Sequence, residues 1–180
     1  MIYEFRATTV KPGAMRQLHE AMAATLPARA QLSTPSGFWH ADIGALKQYV
    51  QLWRYRDDAH RSGVRAAAAS LPGLVPRACS SRRCRRSGPV DVGSLLDRAR
   101  SWEYGIYEMY TYYPRPGSMP TVLDIWADAL PRRLHLSPVV GCWYGESGRL
   151  NRLRHVRAYR SLDERARLRA ESLSIPGCHQ

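Results

Sequence analysis

Ile2-Tyr3-Glu4-Phe5-Arg6-Ala7-Thr8-Thr9-Val10-Lys11-Pro12-Gly13-Ala14-Met15 returns 104 positions later as Ile106-Tyr107-Glu108-Met109-Tyr110-Thr111-Tyr112-Tyr113-Pro114-Arg115-Pro116-Gly117-Ser118-Met119. The same opening triplet, the same Pro-Gly turn and a methionine at the same spacing mark the second stretch as a copy of the first. Extending the offset outward aligns residues 2–73 with 106–177 without a gap, and about a third of the 72 positions are identical. The identities include Leu26/Leu130, Pro27/Pro131, Gly37/Gly141, Trp39/Trp143, Tyr55/Tyr159, Arg61/Arg165 and the closing Pro72-Gly73/Pro176-Gly177. A duplicated supersecondary unit normally buries its apolar face against a twin. The chain therefore divides into a first repeat at 1–73, a connection at 74–105 and a second repeat at 106–180.

Each copy reads as β-α-β-β-α. Ile2 to Val10 is rich in aromatic and β-branched residues and ends at Lys11-Pro12-Gly13, which predicts a strand and a turn. Ala14 to Ala30 carries Met15, Leu18, Met22 and Leu26 at helical spacing, and Pro27 predicts a kink or an end near that point. Gly37 to Ile43 and Leu46 to Tyr55 read as a hairpin around Gly44-Ala45. Asp57 or Asp58 then caps a helix that runs to about Leu71 and stops at Pro72-Gly73. The class is α+β, with ferredoxin-like repeats in tandem, each an antiparallel sheet covered by helices on one face.

Those elements carry Ile2-Tyr3-Glu4-Phe5-Arg6, Lys11-Pro12-Gly13, Gly37-Phe38-Trp39 with Asp42-Ile43-Gly44, and Leu52-Trp53-Arg54-Tyr55 followed by Asp57. In combination they resemble the NIPSNAP family of the dimeric α/β-barrel superfamily, over about four-fifths of the chain. The resemblance implies antiparallel sheets that close an α/β barrel, usually between two chains, with substrate held between the sheets. It also implies an Asn and a His on the third strand; copy two has them as Asn151 and His155, where copy one has Lys47 and Gln51. The family's closing strand has no recognisable counterpart after Gly73 or Gly177, although Val90 to Val92 could supply a short one.

Charge bears on the partner. The net charge of +12 divides evenly: the first copy has 9 basic and 5 acidic residues, the connection 7 and 3, and the second copy 11 and 7. Only the connection is dense, with Arg77, Arg82, Arg83, Arg85 and Arg86 close together, and no RNA-binding motif accompanies them, so a nucleic-acid partner ranks below a small-molecule one. Cys79, Cys84, Cys142 and Cys178 have neither disulfide nor metal-ligand spacing. The start shows no leader pattern and there is no long apolar run, so the expectation is a cytoplasmic protein without a membrane segment. No nucleotide loop, flavin fingerprint or HExxH is present, which points to chemistry without a cofactor or metal.

Strand alternation places Glu4 with Arg6, and Glu108 with Tyr110 and Tyr112, on the more polar faces, which are expected to look into the space between sheets. On the third strand of copy two, Asn151, His155 and Arg157 share a face. His155 is the candidate for proton transfer, with Glu108 as its orienting group or base. Asn151, Arg157, Tyr110, Tyr112, Glu4 and Arg6 are the candidate substrate-binding residues, the tyrosines forming an aromatic wall for a flat, oxygenated ligand. This constellation suggests a cofactor-independent isomerase, cyclase or oxygenase acting on an aromatic or polyketide-like substrate. A non-catalytic interaction protein is the alternative, and a homodimer or an internally closed monomer would both satisfy the repeat. The copies diverge at these polar positions, so one functional site is expected, built on copy two with Glu4 and Arg6 facing it.

Overall fold

The turn at Lys11-Pro12-Gly13 sets the first unit. Gly13 lies at φ +76°, a left-handed conformation that glycine adopts without steric cost, and the Ala14 N–H donates to the Lys11 carbonyl at 3.1 Å. The chain thereby folds from β1 (Ile2–Thr9) into α1 (Met15–Leu32), and continues through β2 (Pro35–His40) and β3 (Gln48–Tyr55) to α2 (Asp58–Ala69). In this computed structural model the residues described are 1–72, 104–145 and 150–174, with the backbone of β4 (Arg86–Ser87), β5 (Val90–Asp91) and β6 (Ser94–Asp97). The second copy supplies β7 (Ile106–Tyr112), α3 (Met119–Leu134), β8 (Val139–Tyr144), β9 (Leu153–Tyr159) and α4 (Leu162–Leu173), in the order of the first. Gly117, at φ +83°, turns the chain as Gly13 does. Arg77, Arg82, Arg83, Arg85, Cys79, Cys84, Gly148 and Cys178 fall outside the described residues.

Contacts divide the chain into two units, Met1–Val92 and Gly93–Gln180. The first holds an antiparallel sheet in the order β2-β3-β1, whose β1 edge is extended by β4 and β5. The short strand expected at Val90 is present, with Glu4 opposite Val90 and Tyr3 opposite Asp91. The second unit has the order β6-β8-β9-β7, with its extra strand on the β8 edge. Barrel closure requires the first and last strands of an order to pair. Neither order does so, and the barrel implied by the resemblance is not made within either unit: each sheet is open.

Local chemistry explains the helix ends. The Asp57 side chain accepts from the His60 N–H at 2.7 Å, the expected N-cap of α2. Ser161 caps α4 by accepting from the Glu164 N–H at 3.0 Å, and Glu164 reaches back to the Arg160 N–H. The helix does not end at Pro27, one of the two outcomes expected there: α1 continues to Leu32. The turn beyond the proline is held by tertiary contacts. Arg29 is buried, lies 4.0 Å from the Trp53 ring centroid, and donates to Ser33 Oγ at 2.7 Å and to the Tyr55 hydroxyl at 3.0 Å.

The sheet face carrying Glu4 and Arg6 turns toward the helices, which corrects its expected orientation. Glu4 is 2% exposed and accepts from Tyr55 and from Arg65 of α2, with Arg61 3.8 Å away. Arg6 lies on the same face, opposite Gln51. The opposite face, with Tyr3, Phe5 and Leu52, is equally buried. With both faces inside, polarity along the strand could not tell them apart.

Candidate functional site

In the first unit, Val10, Ala14, Leu18, Met22 and Tyr49 form a buried cluster between α1 and the sheet, with Phe38 packed against it. Adding 104 to each number gives Pro114, Ser118, Val122, Trp126 and Leu153, with Cys142 in place of Phe38. Leu18→Val122, Tyr49→Leu153 and Phe38→Cys142 remove volume while Met22→Trp126 adds it, and a close-packed interior does not absorb such changes silently. Pro114, Val122, Trp126 and Leu153 line a cavity of about 360 Å³, together with Ile125 and Leu130. In α3 only Leu130 is buried, whereas α1 buries Leu18, Met22 and Arg29. Where copy one has a core, copy two has an apolar cavity.

A second cavity, of about 180 Å³, adjoins it and shares Tyr112 and Arg133. Arg157, Ser137, Tyr110, Tyr159 and Arg169 line its polar part, and Leu168 and Leu173 of α4 its apolar part. Three of the expected ligand-binding residues, Tyr110, Tyr112 and Arg157, thus meet at one place. Arg157 is 4% exposed; its Nη1 donates to Ser137 Oγ at 2.7 Å, and its Nε and Nη2 have no hydrogen-bond partner among the described residues. Burial, and then the charge of Arg133, lower its pKa from the ordinary value.

His155 and Glu108 line neither cavity. His155 is 1% exposed, stacked on Tyr110 at 4.6 Å and 10° and on Tyr112 at 5.7 Å, with the Trp126 ring of α3 at 4.5 Å. It therefore points into the helix layer, not away from it. Neither ring nitrogen has a hydrogen-bond partner among the described residues, and burial, aided by Arg157 and Arg133, pushes the imidazole down to about 3. At neutral pH it is an uncharged, weakly basic ring. Burial pushes the Glu108 carboxyl up, but hydrogen bonds from Arg165 and Tyr110 and the charges of Arg165 and Arg169 outweigh that and hold it below its ordinary value. This carboxylate is clasped by α4, as Glu4 is by α2, and is placed as a structural anion.

Asn151 precedes β9 instead of lying within it. Its φ is +53°, and the matching Lys47 is at +63°. Asparagine tolerates this left-handed region better than most residues, so backbone geometry accounts for it there. Glu4 and Arg6 belong to the first unit, where Glu4 is engaged by its own helix. Val122, Ile125, Trp126, Arg133 and Ser137 were not singled out from the sequence. For Val122 the signal is volume lost against Leu18, its aligned position in copy one; Arg133 and Ser137 match Arg29 and Ser33, and no loss of volume marks them, Ile125 or Trp126. Among the described residues no group of three or more His, Cys, Asp or Glu is placed to hold a metal ion, and no helix is long and apolar enough to cross a membrane.

The two-unit architecture has relatives. A protein of Fusobacterium nucleatum given as "Putative monooxygenase" superposes with a TM-score of 0.66 over 94% of this chain and 80% of its own, at 11% identity, a likeness of fold alone. In sequence, NipSnap homolog 3B of Homo sapiens is 27% identical over 185 residues, covering 97% of this chain and 73% of that protein. Protein NipSnap of Drosophila melanogaster is 33% identical over 144 residues, 77% of this chain and 53% of that protein. The family model described as NIPSNAP matches twice, at residues 3–84 and 107–180. With both repeats matched, the chain belongs to the NIPSNAP family.

Proposed function

We propose that this chain binds a flat, largely apolar small molecule in its second repeat, beneath α3. The observation that carries this is the conversion of a core cluster into a cavity: Leu18 and Tyr49 fill the first unit where Val122 and Leu153 line about 360 Å³ in the second. An apolar pocket with a few convergent polar groups is the usual form of a small-molecule site. Proton transfer by His155 with Glu108, the chemistry expected of a cofactor-independent isomerase, cyclase or oxygenase, is not what this geometry favours. Both groups stand outside the cavities, one stacked and weakly basic, the other clasped by arginines. Their role in this reading is to hold the wall formed by Tyr110, Tyr112 and Trp126.

The test restores copy one's side chains. Titration calorimetry with a flat neutral probe, 2-naphthylmethanol, should give saturable binding to the wild-type chain. In the variant Val122→Leu/Leu153→Tyr the affinity should fall by about tenfold or more, with the melting temperature unchanged or raised. Equal affinity in the two proteins, or no binding to the wild type, would overturn the proposal.

A further inference from the structure

At position 53/157 the copies differ sharply in chemistry, tryptophan in the first and arginine in the second. In the first unit Trp53 is stacked by Arg29, and Arg29 uses both terminal nitrogens, on Ser33 and on Tyr55. The second unit keeps the helix arginine, the serine and the tyrosine as Arg133, Ser137 and Tyr159, but puts Arg157 in place of the tryptophan. Arg157 takes the serine hydroxyl that Arg29 holds in the first unit. A flat aromatic ring has been exchanged for a buried guanidinium whose Nε and Nη2 find no partner among the described residues. Among the described residues no acidic side chain lines the cavity around it, and the nearby carboxylate of Glu108 is already held by Arg165, Arg169 and Tyr110. Burying an uncompensated cation costs several kcal/mol, and such a charge is normally matched by an anion.

We propose that the smaller cavity is a carboxylate pocket, so that the ligand is an amphipathic monoanion with its apolar body beneath α3 and its carboxylate on Arg157 and Ser137. This rests on the binding reading above and adds the headgroup. A guanidinium presents parallel N–H donors that match the two oxygens of a planar carboxylate, and Ser137 supplies a further polar group beside it. Tyr112 and Arg133 line both cavities, which places the two side by side.

Three probes of one body separate the claims: 2-naphthoate, 2-naphthyl phosphate and neutral 2-naphthylmethanol, titrated calorimetrically into the full chain. The wild type should bind 2-naphthoate about tenfold or more tighter than the alcohol, and no more weakly than the phosphate. Arg157→Gln should erase the preference for the carboxylate over the alcohol. Arg157→Trp, which restores the residue of copy one, should raise the melting temperature of the unliganded chain and show no preference for the carboxylate. Binding of the alcohol with no preference for the carboxylate, or a carboxylate preference that survives Arg157→Gln, would overturn the headgroup and leave the apolar site standing. A clear preference for the phosphate would overturn the carboxylate assignment alone. Failure of all three probes to bind would overturn both readings.

Discussion

Gly37 and Gly141 are retained in both copies for the same reason: a Cβ at either would fall 2.0 Å or 2.4 Å from the ring of Trp39 or Trp143, which lies across it. A Gly-x-Trp spacing on a strand is therefore a packing pair that the sequence displays openly. His155 is the opposite case. Its residue type pointed to proton transfer, whereas its surroundings make it a neutral ring in an aromatic stack, and side-chain surroundings contributed by α3 cannot be read from β9. The consequence is a pH dependence of stability. The imidazole sits near 6.5 in the unfolded chain and is pushed down to about 3 in the fold, so the unfolded chain binds the extra proton between those values. Stability contributed at neutral pH should fall as pH drops below about 6.5, by up to about 1.4 kcal/mol per pH unit. His155→Gln, with the residue copy one has, should flatten urea-denaturation stability between about pH 6.5 and 5.5, above the range where carboxylates begin to take up protons. An unchanged slope over that interval would contradict the buried neutral assignment.

At the scale of elements, the order β-α-β-β-α, the Asp57 cap and the Gly13 turn were all legible, because they depend on near neighbours. The continuation of α1 past Pro27 was not, since Arg29, Trp53 and Tyr55 override the local preference from 26 residues away. Strand polarity also misled. Glu4 and Glu108 lie on helix-facing strand positions because α2 and α4 each bring two arginines to meet them: Arg61 and Arg65, and Arg165 and Arg169. The repeated arrangement is a clasp between β1 and α2, and between β7 and α4. Removing the charge leaves two arginines beside an amide. Glu4→Gln, at the clasp with the more buried carboxylate, should lower unfolding free energy by about 2–3 kcal/mol, and Glu108→Gln, where the carboxylate is partly exposed, by about 1 kcal/mol. Chemical denaturation measures both, and the opposite ranking would show that solvent exposure does not govern the clasp.

For the whole molecule, duplication was the most legible property, and divergence between the copies is where function becomes visible. The expected single site on copy two was drawn from polar residues, Asn151, His155 and Glu108. The structure instead brings Tyr110, Tyr112 and Arg157 to a cavity, beside apolar positions where copy two has given up volume. Polar residues drew attention because their chemistry is explicit. The missing volume is recorded only as a difference between Leu18 and Val122, or Tyr49 and Leu153. The most direct measurement of the central claim is a two-dimensional amide NMR titration of the full chain with 2-naphthylmethanol. Shifts should concentrate on the amides of residues 112–133 and Leu153, leaving the matching residues 8–29 and Tyr49 unmoved. Shifts that fall equally on both copies, or only on the first, would contradict the account.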